Sequence, residues 1–327
     1  MKRVKWRIRR DLITAGLEVA ALASRLNTFR PNFRSGMIFT MHHVRPKPVQ
    51  KAFDPNAHLE ITPEFLNLAI ETLKAEGFEF IRLEDLPQRL EEPKKRPFAI
   101  LTLDDGYKNN RDHALPVFEA QRVPATIFVT KGFADRSTII WWEVLVYMLE
   151  RMTSIRFDLG DGEKVHSVAT TEEKYEFFDR FTKIFWHRDE LDFVDKLDTA
   201  ARDNGINPLQ LTDDLTMSSE ELAALSQHEL IDLGAHTQRH LAIGRLDEET
   251  AREEIIRSVE WVEALTGKKP KSFAFPYGNR VSATNRDMQL VQSLGIELSV
   301  TTIPGMIRSD RVTELSALPR VSLNGHY

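Results

Sequence analysis

The sequence predicts an α/β fold of parallel strands joined by crossover helices, closed as a barrel or left as an open sheet. Three observations predict it. Apolar runs of strand length recur along the chain, helical periodicity with start and stop signals fills the intervals, and three polar motifs each follow directly on such a run.

The elements follow in order. "SGMIFTMHHV" reads as a first strand, and "ITPEFLNLAIETLKAEGFEFIRL" as a helix leading into a second. Thr62 is a good N-cap there, Pro63 suits the first helical position, Phe65, Ala69 and Leu73 share a face, and Gly77 stops the helix. "FAILTL" is a third strand, followed by a helix near residues 110 to 121 and the strand "ATIFVT". Further on, "ELIDLGAH" is a strand, a helix runs from Asp247 to near Gly267, "SFAF" is a strand, and "LVQSLGIELSVTT" supplies another helix and strand. The total is about seven strands, spaced as parallel crossover units.

Residues 134 to 220 break this rhythm, being too long for one crossover. "WWEVLVYMLERM" and "YEFFDRFTKIFW" read as helices with aromatic faces, so the segment is expected to be mostly helical. It serves either as a substrate-shaping lid or as a pad covering a barrel wall. The next helix opens with a capping box, Ser218 with Glu221.

Residues 1–35 form a separate basic arm ahead of a domain spanning 36–327. "MKRVKWRIRR" has the charge of a signal-peptide n-region, but Asp11 and Glu18 interrupt the apolar segment that should follow. At helical spacing Val4, Ile8, Leu12, Ala15, Val19 and Leu22 form an apolar stripe opposite a basic face. Such a helix either lies on an anionic membrane surface or docks on its own domain. The expected location is cytoplasmic, including the inner membrane face; "ALA" at residues 21–23 leaves export open. The net charge of -5 argues against a nucleic-acid partner, and the absence of cysteine removes disulfides, thiolate-bound zinc and thiol nucleophiles. No run of about 18 apolar residues occurs.

The motifs after the strands carry the chemistry. "LDDG" follows one, "HTQRH" another and "PYG" a third, and in parallel α/β folds the carboxyl ends of strands share one face. His236 and His240 have the spacing that puts two imidazoles on one side of a helical turn, within reach of a single metal. Among ten histidines such a pair is weak evidence alone. A carboxylate from Asp104 or Asp105 completes two nitrogens and one oxygen, the outline of a hydrolytic site for zinc, or for cobalt, nickel or iron. A helix cap needs only one Asp, and adjacent residues leaving a strand point in opposite directions. One carboxylate is therefore expected to ligate while the other stays free and ionised to take a proton from water. Gly106 permits tight backbone geometry, and the amide of Tyr107 is placed to stabilise an oxyanion.

"TLDDG", "HTQRH" and "FPYG", in this order and each after a strand, resemble the polysaccharide deacetylases of carbohydrate esterase family 4, the NodB-homology fold. The likeness extends through "LPVFEAQRVPATIFVT" and "GAHTQRHL", and more faintly to "TMHHV" and "ITPEF". It implies a distorted (β/α) barrel, a divalent metal and removal of acetyl groups from N-acetylated sugars. It also implies Asp104 as base, Asp105, His236 and His240 as ligands, and Thr237 as support for the histidine loop. Pro276, Tyr277 and Gly278, with Tyr107, would contact the acetylated saccharide. Two positions depart from the family pattern: Leu103 replaces a usual Phe, and Ala274 stands where an Arg often braces the catalytic carboxylate. The general acid has three candidates, His326, His42 and His43. The expected activity is N-deacetylation of an N-acetylglucosamine-containing saccharide. A catalytically impaired carbohydrate-binding protein, or a hydrolase of O-acetyl esters or other amides, would use the same residues.

Overall fold

The computed structural model describes residues 35–46, 51–91, 96–308 and 315–324. The basic arm and His326 lie outside the described residues. In chain order the strands are β1 (Ser35–Met41), β2 (His43–Val44), β3 (Glu60–Ile61), β4 (Glu79–Phe80), β5 (Phe98–Leu103), β6 (Ala125–Val129), β7 (Ser154–Asp158), β8 (Glu163–Ser167), β9 (Ile231–Ala235), β10 (Ser272–Ala274), β11 (Leu298–Val300), β12 (Ile307–Arg308) and β13 (Val321–Ser322). The main sheet has nine strands in the order β11, β10, β9, β6, β5, β1, β12, with β13 also on β1 and β4 on β5. Every ladder in it is parallel except that of β12 on β1. Each of the seven expected strands is a member.

The sheet curls into a distorted barrel and is closed by its last described segment. Val321 pairs with Phe39 of β1, while Leu318 bridges in parallel to Val300 of β11. Thr301 N donates to Leu318 O, and Leu318 N to Ser299 O, each at 2.9 Å.

Parity along the strands sorts the two faces. Ala99, Leu101 and Leu103 of β5 belong to the cluster that packs the sheet against Leu66 and Ile70 of helix Pro63–Ala75 and Ile255 and Val259 of helix Glu248–Thr266. Phe98 and Ile100 belong instead to an interior cluster with Ile38, Phe128, Leu298 and Val300. All of β5 and β6 is buried, as parallel strands covered on both faces must be. Continued by period two, the inward set runs Phe98, Ile100, Thr102, Asp104. The outer helices begin and end where their caps dictate: Thr62 Oγ1 accepts from Phe65 N at 3.1 Å, Asp247 Oδ1 from Thr250 N at 3.0 Å, and Gly267 ends its helix at φ 71°.

The insertion builds a second core, in which Trp141 and Trp142 pack with Phe177, Phe181, Phe185 and Phe193. It is not helical throughout: β7 and β8 form an antiparallel hairpin in register Ser154 with Ser167. "SIRFD" alternates exposed and buried, the period of a half-buried strand, and Gly160 and Gly162 supply positive φ in the turn. The aromatic helices on either side masked that alternation. Among the described residues no helix is long and apolar enough to cross a membrane.

Gly36 shows how tightly the interior is filled. It lies opposite Phe98 in the β1–β5 register, and a Cβ there would stand 2.2 Å from the Phe98 ring. Gly36→Ala is expected to cost about 1–3 kcal/mol of stability, read as an earlier urea midpoint at unchanged slope. An unchanged midpoint would mean that the ring can yield.

Candidate metal centre

Four strand ends converge on one face: β1 leads to His42, β5 to Asp104 and Asp105, β9 to His236, and β10 to Pro276. Asp104 continues the ladder, its N donating to Met41 O at 3.0 Å. Asp105 then turns left-handed at φ 72°, which removes its carboxylate from the alternation of the strand. Gly106 follows at φ 72°, where a Cβ would meet Val129 Cγ1 at 3.2 Å.

Asp105, His236 and His240 offer ligand atoms that all lie within 4.8 Å of one another. Asp105 Oδ1 is 3.6 Å from His236 Nε2 and 3.3 Å from His240 Nε2. All three side chains are buried. His236 Nδ1 donates to Ala274 O at 2.8 Å, which fixes the tautomer and leaves the Nε2 lone pair facing Asp105. Burial holds the His236 pKa down to about 4, against the pull of the Asp104 carboxylate, so the ring is neutral at physiological pH. Burial alone would raise the pKa of Asp105, but His240 and the other imidazoles hold it well below the usual carboxylate range.

The two histidines do not sit on a helical turn. Residues 236–240 form an irregular loop with Thr237 at φ 66° and His240 at φ 60°. Thr237 Oγ1 is buried and makes no hydrogen bond among the described residues, so it does not brace the loop there. Glu254 does: its Oε2 accepts from Gln238 N at 3.0 Å and Arg239 N at 2.9 Å, while Oε1 takes Arg239 Nε at 2.6 Å. Sequence reading placed Glu254 on an amphipathic helix and had no signal for its inward direction.

Asp104 points the other way, into the barrel, where Arg320 meets it as a fork. Nη1 donates to Oδ1 and Nη2 to Oδ2, both at 2.7 Å. Nη1 also reaches Thr102 Oγ1 at 3.1 Å, and Nε reaches Thr301 O at 3.0 Å. Burial would raise the pKa of Asp104, but the guanidinium outweighs it and holds the carboxyl below its ordinary value. The carboxylate is therefore braced although Ala274 stands in the family's arginine position. The brace comes from the closing segment, and Ala274 contributes its carbonyl to His236 instead.

A family model described as polysaccharide deacetylase matches residues 91–176 and 197–299. The chain belongs to the polysaccharide deacetylase family. It is thus a hydrolase of the deacetylase class. No curated protein sequence matches it. Its fold is similar to the Streptococcus pyogenes deacetylase PplD in complex with acetate (15% identity, 89% of this chain and 92% of that one, TM-score 0.56). It is also similar to IcaB from Ammonifex degensii (16%, 89% and 93%, 0.53) and a de-N-acetylase from Aggregatibacter actinomycetemcomitans (13%, 88% and 94%, 0.53).

The remaining site residues divide by position. His42 Nε2 lies 4.0 Å from Asp104 Oδ2, and the side chain stays 21% exposed. His43 faces away, buried between Asn109 at 2.8 Å, Glu143 at 3.6 Å and the Tyr107 ring. The Tyr107 side chain is itself buried, its hydroxyl accepting from Trp142 Nε1 at 3.2 Å, so only its backbone remains a candidate for substrate contact. Pro276, Tyr277 and Gly278 make a tight turn: Gly278 N donates to Pro276 O at 2.7 Å across Tyr277 at φ 59°. A Cβ on Gly278 would stand 2.4 Å from Thr302 N. Tyr277 Oη donates to Glu190 Oε1 at 2.8 Å and accepts from Trp141 Nε1 at 2.9 Å.

Arg320→Met strands a buried carboxylate and is expected to cost about 3–5 kcal/mol of stability, much of it restored by adding Asp104→Asn. The depressed Asp104 pKa means that the pair's contribution is present above the ordinary carboxylate pKa and lost as pH falls through the lower folded value. Urea unfolding of wild type and Arg320→Met should therefore converge on acidification below about pH 4. A constant gap would exclude the pair as its source.

Proposed function

We propose that this chain is a divalent-metal-dependent deacetylase that removes N-acetyl groups from an N-acetylglucosamine-containing oligo- or polysaccharide. One observation carries the metal: among the described residues Asp105 Oδ1 is buried with no hydrogen-bond partner, and it faces two imidazole nitrogens. An oxygen so placed calls for a cation, and the donor set fits zinc, cobalt, nickel or iron. Asp105, His236 and His240 would hold the ion, which when bound polarises the acetyl carbonyl and acidifies water.

The chain's own groups divide the proton work. Asp104, held ionised by Arg320, takes the proton of the attacking water. The Tyr107 amide donates to the developing oxyanion at the turn that follows Asp105. His42 gives a proton to the leaving amine from the open side of the site. Burial lowers its pKa, against the attraction of Asp105 and Asp104, and so disfavours the imidazolium; the proton it delivers has to reach it during turnover, from the water proton taken up at the neighbouring Asp104. The arginine brace on Asp104 and the position of His42 beside it support a working enzyme over the binding-only alternative.

Purified protein is expected to hold about one equivalent of divalent metal and to release acetate from N-acetylglucosamine oligomers until a chelator is added. Activity confined to O-acetylated sugars would shift the reading to an esterase. Asp105→Ala should lose metal and recover partly at high metal concentration. Asp104→Asn should keep its metal while turnover falls by about two to four orders of magnitude. Metal loss in Asp104→Asn, or near-normal turnover, would reverse the assignment. His42→Ala should slow turnover with metal retained.

The arm at residues 1–35 is proposed to hold the enzyme on the inner membrane face. Association with liposomes should require anionic lipid and weaken with salt, and should vanish on deleting residues 1–26 while deacetylation persists.

A further inference from the structure

The two metal-facing histidines differ in what supports them. Both present Nε2 to Asp105, so both must carry their proton on Nδ1 to ligate. His236 hands that proton to Ala274 O. His240 has no such acceptor: its Nδ1 is buried without a partner among the described residues, although the side chain is only 8% exposed. His240 also lines a cavity of about 390 Å³.

The insertion supplies much of the wall of that cavity, including Trp141, Trp142, Glu190, Asp198 and Arg202, and Arg239 adds a guanidinium from the histidine loop. The insertion is fixed there by its tryptophans, which donate to Tyr277 and Tyr107 of two site motifs, and by Glu190, which accepts from Tyr277 Oη and from Ala242 N at 3.1 Å. Asp198 accepts from Arg202 Nε through Oδ2 at 2.7 Å, while its buried Oδ1 has no partner among the described residues. Indole walls with carboxylate and guanidinium groups at the edges suit a neutral, hydroxyl-rich ring: apolar C–H faces meet the aromatics and hydroxyls meet the charged groups. The carboxylates disfavour an anion. The volume sits at the small end of the range of ligand pockets, about 300–1,000 Å³, and fits one saccharide unit better than a continuing chain.

We propose that this cavity, which the metal-facing His240 also lines, is a subsite for the saccharide unit adjoining the acetylated one. The proposal rests on the deacetylase reading. It makes the insertion a specificity element and the substrate a chain end or short oligosaccharide.

The test uses full-length, metal-loaded protein and two readouts. The first is kcat/KM for acetate release from N-acetylglucosamine, its β-1,4 disaccharide and longer oligomers. The second is tryptophan fluorescence titrated with the β-1,4 disaccharide of glucose, which is neutral and has no acetyl group to lose. Wild type is expected to prefer disaccharide over monosaccharide by about tenfold or more, with little further gain on lengthening. In Asp198→Ala/Arg202→Ala, and in the cavity-filling Val194→Trp, the preference should collapse and the fluorescence Kd should rise by about tenfold. Equal rates on all lengths, gains that continue with each added unit, or a preference that survives both variants would overturn the subsite. If no sugar is deacetylated, the deacetylase reading fails and the titration alone decides. Saturable binding weakened by the variants sustains the cavity as a sugar site; no saturable signal, as from a cavity that holds only water, refutes it.

Discussion

Asp104 and Arg320 face each other inside the barrel with almost no access to water, joined through both carboxylate oxygens at 2.7 Å. Neither charge is tolerable there alone, because removing one partner leaves the other desolvated and unpaired. The planar fork of arginine matches a carboxylate in a way that a lysine point charge does not. Arg320 also belongs to the segment that closes the barrel between β1 and β11, and its side chain reaches Thr102 of β5 and Thr301 beyond β11. Barrel closure and the ionisation of the proposed base thus depend on one residue.

The metal side is organised differently, by backbone held in uncommon conformations. Asp105, Thr237, His240 and Tyr277 all have positive φ, a state costing roughly 1–3 kcal/mol at each non-glycine position. Buried acceptors hold them in place. Glu254 gathers the histidine loop from beneath, and Glu190 ties the same loop to the Tyr277 turn from the insertion side. Two tryptophans of the 134–220 segment bond directly to Tyr277 of the PYG motif and to Tyr107, which follows the DDG motif.

Much of this was legible in the chain. Three of the strands announced themselves because each ended in a motif whose polarity contrasted with a buried run, and the caps at Thr62, Ser218 and Asp247 are local signals that tertiary contacts did not override. Different directions for Asp104 and Asp105 were expected from strand alternation, but the left-handed turn at Asp105 is what separates them. What failed was anything set by distant sequence. Arg320 lies 216 residues from Asp104, and nothing in "LPRVS" marks an arginine as inward. The spacing of His236 and His240 suggested a helical turn because periodicity cannot distinguish a helix from a loop kept in shape by Glu254. The hairpin at 154–167 was hidden for a similar reason, as its two-residue alternation is short beside the aromatic helices around it.

The central claim is that Arg320 keeps Asp104 ionised as the base. Its most direct test is the pH dependence of kcat/KM for acetate release at saturating divalent metal, in wild type, Arg320→Met and Arg320→Lys. With the guanidinium gone, only the weaker pull of His236 and His42 opposes burial at Asp104, so the acid limb should move to higher pH by about one unit or more in Arg320→Met, and by less in Arg320→Lys. An acid limb at the same pH in all three proteins would contradict the claim.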